Sequence, residues 1–135
     1  MTRNEARERL MQALYRADMR GDFILSPTEE AAFTEALSGQ RTYFYDLYKL
    51  LQDHVEEIDR LIQSYSGKWD LERIPKTDLA ILRLAVCEIL FYPAVPPAVS
   101  INEAVELGKK YGTENSPSYI NGILGNIVRQ TEATV

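Results

Sequence analysis

Ile101-Asn102-Glu103-Ala104-Val105-Glu106-Leu107, followed by Lys109-Lys110-Tyr111-Gly112 and then by Ser116, Tyr119 and Asn121-Gly122-Ile123-Leu124, describes two helices joined by a short polar loop. In the first, Ile101, Ala104, Val105 and Gly108 fall at i, i+3, i+4 and i+7 on one face, the spacing of an amphipathic helix. Gly112 predicts a left-handed residue that ends it. Ser116-Pro117 reads as an N-cap followed by proline at the first helical position, after which Ile120, Ile123, Leu124, Ile127 and Val128 restore the helical period. Gly122 and Gly125 lie inside that period and each weakens a helix by roughly 1 kcal/mol relative to alanine. Their presence predicts a close approach to the backbone by a neighbouring helix or a ligand.

Working outward, the same signals recur. Thr2 and Glu5 have capping-box spacing at the head of a helix whose apolar arc holds Ala6, Leu10, Ala13, Leu14 and Ala17, with Gly21 as its stop. Ser26-Pro27-Thr28-Glu29 predicts a second helix start, ended by Ser38-Gly39. Phe44, Leu47, Leu51, Val55, Ile58, Ile62 and Tyr65 then step by three or four residues toward Gly67, which predicts one long helix with a continuous apolar seam. After Trp69 there is room for one short helical turn before Pro75, and residues 77–92 are apolar on almost every face, as a central buried helix requires. Pro93, Pro96 and Pro97 stop it. No useful stretch alternates with period two, so the chain reads as all-α, without repeats or a low-complexity linker.

At 135 residues the chain suits one domain with a core that needs no staples. No apolar run reaches about 18 residues and the N-terminus is charged, which predicts a cytoplasmic protein without a membrane span or secretory signal. The single cysteine, Cys87, lies in an apolar stretch and reads as a buried thiol. The net charge of −5 is unevenly spread: residues 1–20 hold five arginines against Glu5, Glu8 and Asp18, for +2, leaving −7 on the remainder. An acidic body repels RNA and attracts basic proteins, or simply keeps the chain dissolved.

The chemistry-bearing residues point away from catalysis. His54, the sole histidine, and Cys87 have no zinc-ligand spacing, and no P-loop, dinucleotide fingerprint or nucleophile elbow occurs. The carboxylates Asp53, Glu56, Glu57 and Asp59 spread around a helix as a solvated face. No cofactor or metal is implied. Arg3 and Arg7 share a helix face and carry planar forks suited to phosphate or to a base, or else to solvation and i,i+4 pairs. Lys109, Lys110, Tyr111, Ser116 and Tyr119 surround the polar loop with the cations, aromatic faces and helix start that single-stranded RNA uses, although tyrosines at helix ends also serve as packing. Glu88 interrupts an apolar run and must reach water, pair with a group such as Arg83, or meet a partner. Glu103 has capping-box spacing from Ser100.

The 101–124 block, with Ala13-Leu14-Tyr15, Leu82-Arg83 and Glu88, resembles the NusB family of bacterial transcription antitermination factors. The resemblance runs along nearly the whole chain and is strongest over residues 74–124. It implies six to seven helices in two small bundles packed as one unit, about 1–66 and 67–135. It further implies a protein that pairs with NusE, the tenth protein of the small ribosomal subunit. With NusE it would bind single-stranded boxA-type RNA and help RNA polymerase read through terminators, notably in ribosomal RNA operons. On this resemblance Arg3, Arg7, Lys110, Asn115, Ser116, Tyr119 and Asn121 are candidate RNA contacts, and Glu88 and Tyr15 candidate partner contacts. Asn4, Glu5 and Pro117 depart from the basic or polar residues expected there, and Tyr119 stands where phenylalanine is commoner. A protein-only adaptor without useful RNA affinity, and an accessory module of a ribosomal RNA methyltransferase, are the rival readings.

Overall fold

The Thr2 hydroxyl accepts from the Glu5 N–H at 3.1 Å and the Glu5 carboxylate accepts from the Thr2 N–H at 2.9 Å, so the expected capping box opens α1 (Arg3–Arg20). Gly21 closes it at φ 86°, its N–H donating to the carbonyls of Ala17 and Asp18. The predicted arc of Ala6, Leu10, Ala13, Leu14 and Ala17 is buried. The computed structural model describes residues 1–30, 37–67 and 69–133. Residues 27–30 are helical, started by the Ser26 hydroxyl accepting from the Glu29 N–H at 3.1 Å. Part of the expected second helix falls at 31–36, outside the described residues.

The long apolar seam forms α2 (Arg41–Tyr65), with Phe44, Leu47, Leu51, Ile58 and Ile62 buried. It is bent, because His54 leaves helical geometry (φ −124°, ψ 15°) while its ring stacks on Phe91 at 4.1 Å. Residues 71–73 make the anticipated single turn, here 3-10. Gln63 grips the connection from both sides: its amide nitrogen donates to the Trp69 carbonyl at 3.0 Å and its amide oxygen accepts from the Leu71 N–H at 2.6 Å.

The apolar segment forms α3 (Lys76–Phe91), buried without a break from Asp78 to Glu88. It packs against every other bounded α-helix, as a helix apolar on all sides must. Cys87 is buried there, and burial pushes its thiol up to about 12. The last third forms α4 (Pro97–Tyr111) and α5 (Ser116–Ala133). Among the described residues there is no strand, and the core is one cluster running through all five α-helices.

Four local expectations are corrected. Helix α4 begins at Pro97, so Ser100 and Glu103 lie inside it and do not form a capping box. Proline's fixed φ suits a first helical position and moves the start upstream. Gly112 is extended (φ −91°, ψ −163°) rather than left-handed. Glycine is needed there for space, since a Cβ would run into Ser116 and lie 2.8 Å from the Gly108 carbonyl oxygen. Ser116 caps backward, accepting from the Thr113 N–H at 2.9 Å, and the carbonyl of Asn115 accepts from Tyr119. Finally, among the described residues nothing lies within 4 Å of a Cβ placed on Gly122 and the Arg129 guanidinium lies 3.4 Å from one on Gly125, so no neighbouring helix makes the expected approach at either glycine. The close helix approach is at Gly108, where a Cβ would sit 2.9 Å from Ile120 Cδ1.

Candidate nucleic-acid and partner interface

Glu88 is 1% exposed and its carboxylate is fully occupied inside the protein. Arg7 donates through Nε to Oε2 at 2.8 Å and through Nη2 to Oε1 at 3.3 Å; Ser100 Oγ donates to Oε1 at 2.8 Å, and the Tyr43 hydroxyl donates to Oε2. Burial first, and the neighbouring carboxylate second, hold the Tyr43 phenol far above its ordinary range. One carboxylate on α3 thereby ties α1, α2 and α4 together. Arg83, one of the pairing partners open to Glu88 in the sequence, instead forks onto Asp59 at 2.8 and 2.9 Å and reaches Asp18 at 3.3 Å.

Two residues read as surface contacts thus lie inside the protein. Glu88 presents no carboxylate to a partner, and Arg7, 4% exposed, presents no free guanidinium to RNA. Two charges buried this deeply are retained only when each neutralises the other, so neither is spare for an outside ligand.

Above the buried pair lies an open groove of about 460 Å³ walled by Asn4, Glu8, Glu103, Leu107, Lys109 and Lys110, with Arg7 at its base. Lys110 Nζ lies 2.5 Å from Glu8 Oε1, and the Tyr111 hydroxyl donates to the same oxygen at 2.6 Å. These two donors hold the Glu8 carboxyl below the usual carboxylate range. Arg3 is half-buried outside the groove, donating to Gln40 Oε1 at 2.7 Å with its guanidinium 4.2 Å above the Tyr43 ring. Tyr15 is exposed and lines a smaller hollow of about 220 Å³ with Met11, Gln12, Arg16, Thr77 and Tyr111.

The loop end of α5 makes a separate cluster. Ser116, read as an RNA contact, is 1% exposed, its hydroxyl accepting from the Thr113 N–H. Asn115 and Asn121 are exposed. Tyr119 is half-buried, its ring 5.9 Å from that of Trp69, which is 48% exposed. Tyr119 is thus the inner wall of an aromatic pair whose outer face is Trp69. Trp69, Glu8 and Asp78 escaped the sequence reading. A tryptophan in a polar connection just past Gly67 was the one available signal, whereas Glu8 meets Lys110 across 102 positions and no local pattern announces such a pair.

Asp78 lies beneath this cluster, 3% exposed, with Oδ1 lacking a hydrogen-bond partner. Burial holds its carboxyl above the usual carboxylate range, and the Ser116 hydroxyl pulls it the other way. A carboxyl raised on folding contributes stability below its unfolded pKa and loses that contribution as pH rises through the folded value. Asp78→Asn is therefore expected to stabilise the fold at pH 7 by about 1 kcal/mol, the gain fading as pH falls toward about 4. Urea midpoints of both proteins across that range check it; a gain that grows on acidification refutes it.

The family model described as "NusB family" matches residues 4–129. The transcription antitermination protein NusB of Finegoldia magna is 38% identical over 133 residues, covering 98% of this chain and 97% of its own. A solved NusB structure from T. maritima superposes with a TM-score of 0.84 at 34% identity, over 96% of this chain and 92% of that one. The crystal structure of antitermination factors NusB and NusE in complex with dsRNA contains a chain that matches with a TM-score of 0.76 at 29% identity, over 96% and 99%. With an all-helical fold and a family match spanning both ends of the groove, this chain belongs to the NusB family.

Proposed function

We propose that this protein is a transcription antitermination factor that pairs with NusE and, as that pair, binds boxA-type RNA, supporting read-through by RNA polymerase, notably in ribosomal RNA operons. It acts in the cytoplasm as a binding protein, not an enzyme. The observation that carries this reading is the near full-length match to the NusB chain of a complex holding both NusE and RNA. RNA runs along the groove by Lys109 and Lys110 and meets the loop end of α5 at Asn115, Asn121 and the Trp69–Tyr119 pair. Arg3 lies toward one end of this path. Tyr15 and the hollow beside it serve the partner.

The RNA in that relative's complex is a duplex, and the single-stranded preference proposed here rests on aromatic exposure. Trp69 and Tyr111 are 48% and 37% exposed, and an aromatic side chain can stack a base only when that base is unpaired. Charge supports the partner: with +2 on residues 1–20 and −7 elsewhere, RNA alone meets a small cationic patch in a repulsive field. A basic protein docked on the acidic body cancels that field and adds cations beside the patch.

The test is a salt series of titrations with single-stranded boxA-type RNA and a matched duplex, on this protein alone and with NusE. The pair is expected to bind the single strand more tightly than the lone protein, with a salt slope steeper by about 0.7 for each further phosphate neutralised. Equal affinities and slopes with and without NusE overturn the cooperative reading, and preference for the duplex overturns the single-stranded one.

A further inference from the structure

Glu8 Oε1 is met by two donors from the last turn of α4, the Lys110 ammonium at 2.5 Å and the Tyr111 hydroxyl at 2.6 Å. Gln12, one turn along α1 from Glu8, donates to the Tyr111 hydroxyl at 3.4 Å and backs the arrangement. An ammonium and a phenol aimed at one anionic oxygen reproduce the contacts of a phosphodiester oxygen. The contact lies on the wall of the groove, and its Lys110 side chain remains 61% exposed. An ion pair this open contributes little to folding and opens readily to a competing anion. Tyr111 is the only exposed aromatic side chain of α4, so a phosphate that took the place of Glu8 would lie beside a ring on which a base can stack.

We propose that Lys110 and Tyr111 form a phosphate subsite of the groove that Glu8 fills in the free protein, so that RNA binds by displacing the Glu8 carboxylate. This rests on the RNA-binding reading above and assigns to it an intramolecular competitor. The mask lowers affinity for any isolated phosphate. An RNA strand that engages the rest of the groove overcomes it, because its other contacts hold the displacing phosphate at high local concentration.

Single-stranded boxA-type RNA is titrated across a salt series against the NusE pair of the wild type, Glu8→Gln, Lys110→Gln, the double variant, and Glu103→Gln. Glutamine keeps an acceptor for Tyr111, and Glu103→Gln removes the same charge from the same groove without touching Lys110. Glu8→Gln is expected to bind about three- to fivefold tighter at low salt, with a slope steeper by up to about 0.7. In the Lys110→Gln background the same change should give no gain, and Glu103→Gln, which takes a charge from the groove but frees no donor, should give less than half the gain of Glu8→Gln. An unchanged affinity and slope for Glu8→Gln, a gain matched by Glu103→Gln, or a gain that survives loss of Lys110 overturns the masking while leaving RNA binding intact. If neither the wild type nor any variant binds RNA, the functional reading fails and the masked subsite fails with it.

Discussion

Arg7→Met is expected to lower stability by about 3 to 5 kcal/mol, the largest effect of any single change considered for this protein. The reason is what stays behind. Glu88 stays buried with Tyr43 and Ser100 as its remaining donors among the described residues, and a carboxylate out of reach of water without a counter-charge is far costlier than a lost contact. Since domains of this kind are stable by only about 5 to 15 kcal/mol, the variant should melt well below the wild type. Replacing the pair together, Arg7→Met with Glu88→Leu, should recover most of the loss, because a buried ion pair and a well-packed apolar pair of similar volume differ little. Urea unfolding of the three proteins at neutral pH decides the matter. A loss under about 1 kcal/mol for Arg7→Met would mean that water or another cation reaches Glu88. NusE affinity measured on folded protein carries the second half of the argument: Glu88→Gln should destabilise the fold and leave partner binding unchanged.

Gly112→Ala should cost about 2 to 3 kcal/mol, near the top of the range for overpacking. The added methyl would overlap the Ser116 side chain and crowd the Gly108 carbonyl, which is fixed by accepting from the Gly112 N–H at 2.9 Å. Neither obstacle is free to move, since Ser116 holds the loop through Thr113. Gly108→Ala is the control: its methyl meets the tip of the Ile120 side chain, which can rotate, so the cost should be about 1 kcal/mol. Thermal unfolding compares the two. RNA titration of whatever Gly112→Ala remains folded should show weaker binding, because Ser116 can relieve the overlap only by shifting the start of α5, and Tyr119 and Asn121 shift with it. Equal stability losses at Gly108 and Gly112 would refute the steric account.

The helical text was legible because its signals are local. Capping at Thr2 and Ser26, stops at Gly21 and Gly67 and the apolar periods of α2 and α3 each involve residues within a turn or two of one another, and all of them appear in the fold. Where local signals competed, the reading slipped: Ser100 looked like a cap, but two prolines upstream began the helix first. The bend at His54 was hidden because the apolar seam runs through it unbroken in sequence.

The candidate site was harder to read. Arginine and glutamate at positions 7 and 88 announce chemistry but not its address. A charged residue on an amphipathic helix can point to solvent or to another buried charge, and 81 positions separate this pair. The sequence by itself determined an all-helical fold, the boundaries of α1 to α5 to within a few residues, the burial of α3 and the place of the chain in its family. Only the tertiary structure decided which charges are spent inside and which face the groove: Arg7 with Glu88, Arg83 with Asp59 and Asp18, and Glu8 with Lys110. Helix formation is governed by neighbours three and four residues apart, whereas the pairing of charges is governed by distance through space and by desolvation, and neither exists until the helices have packed.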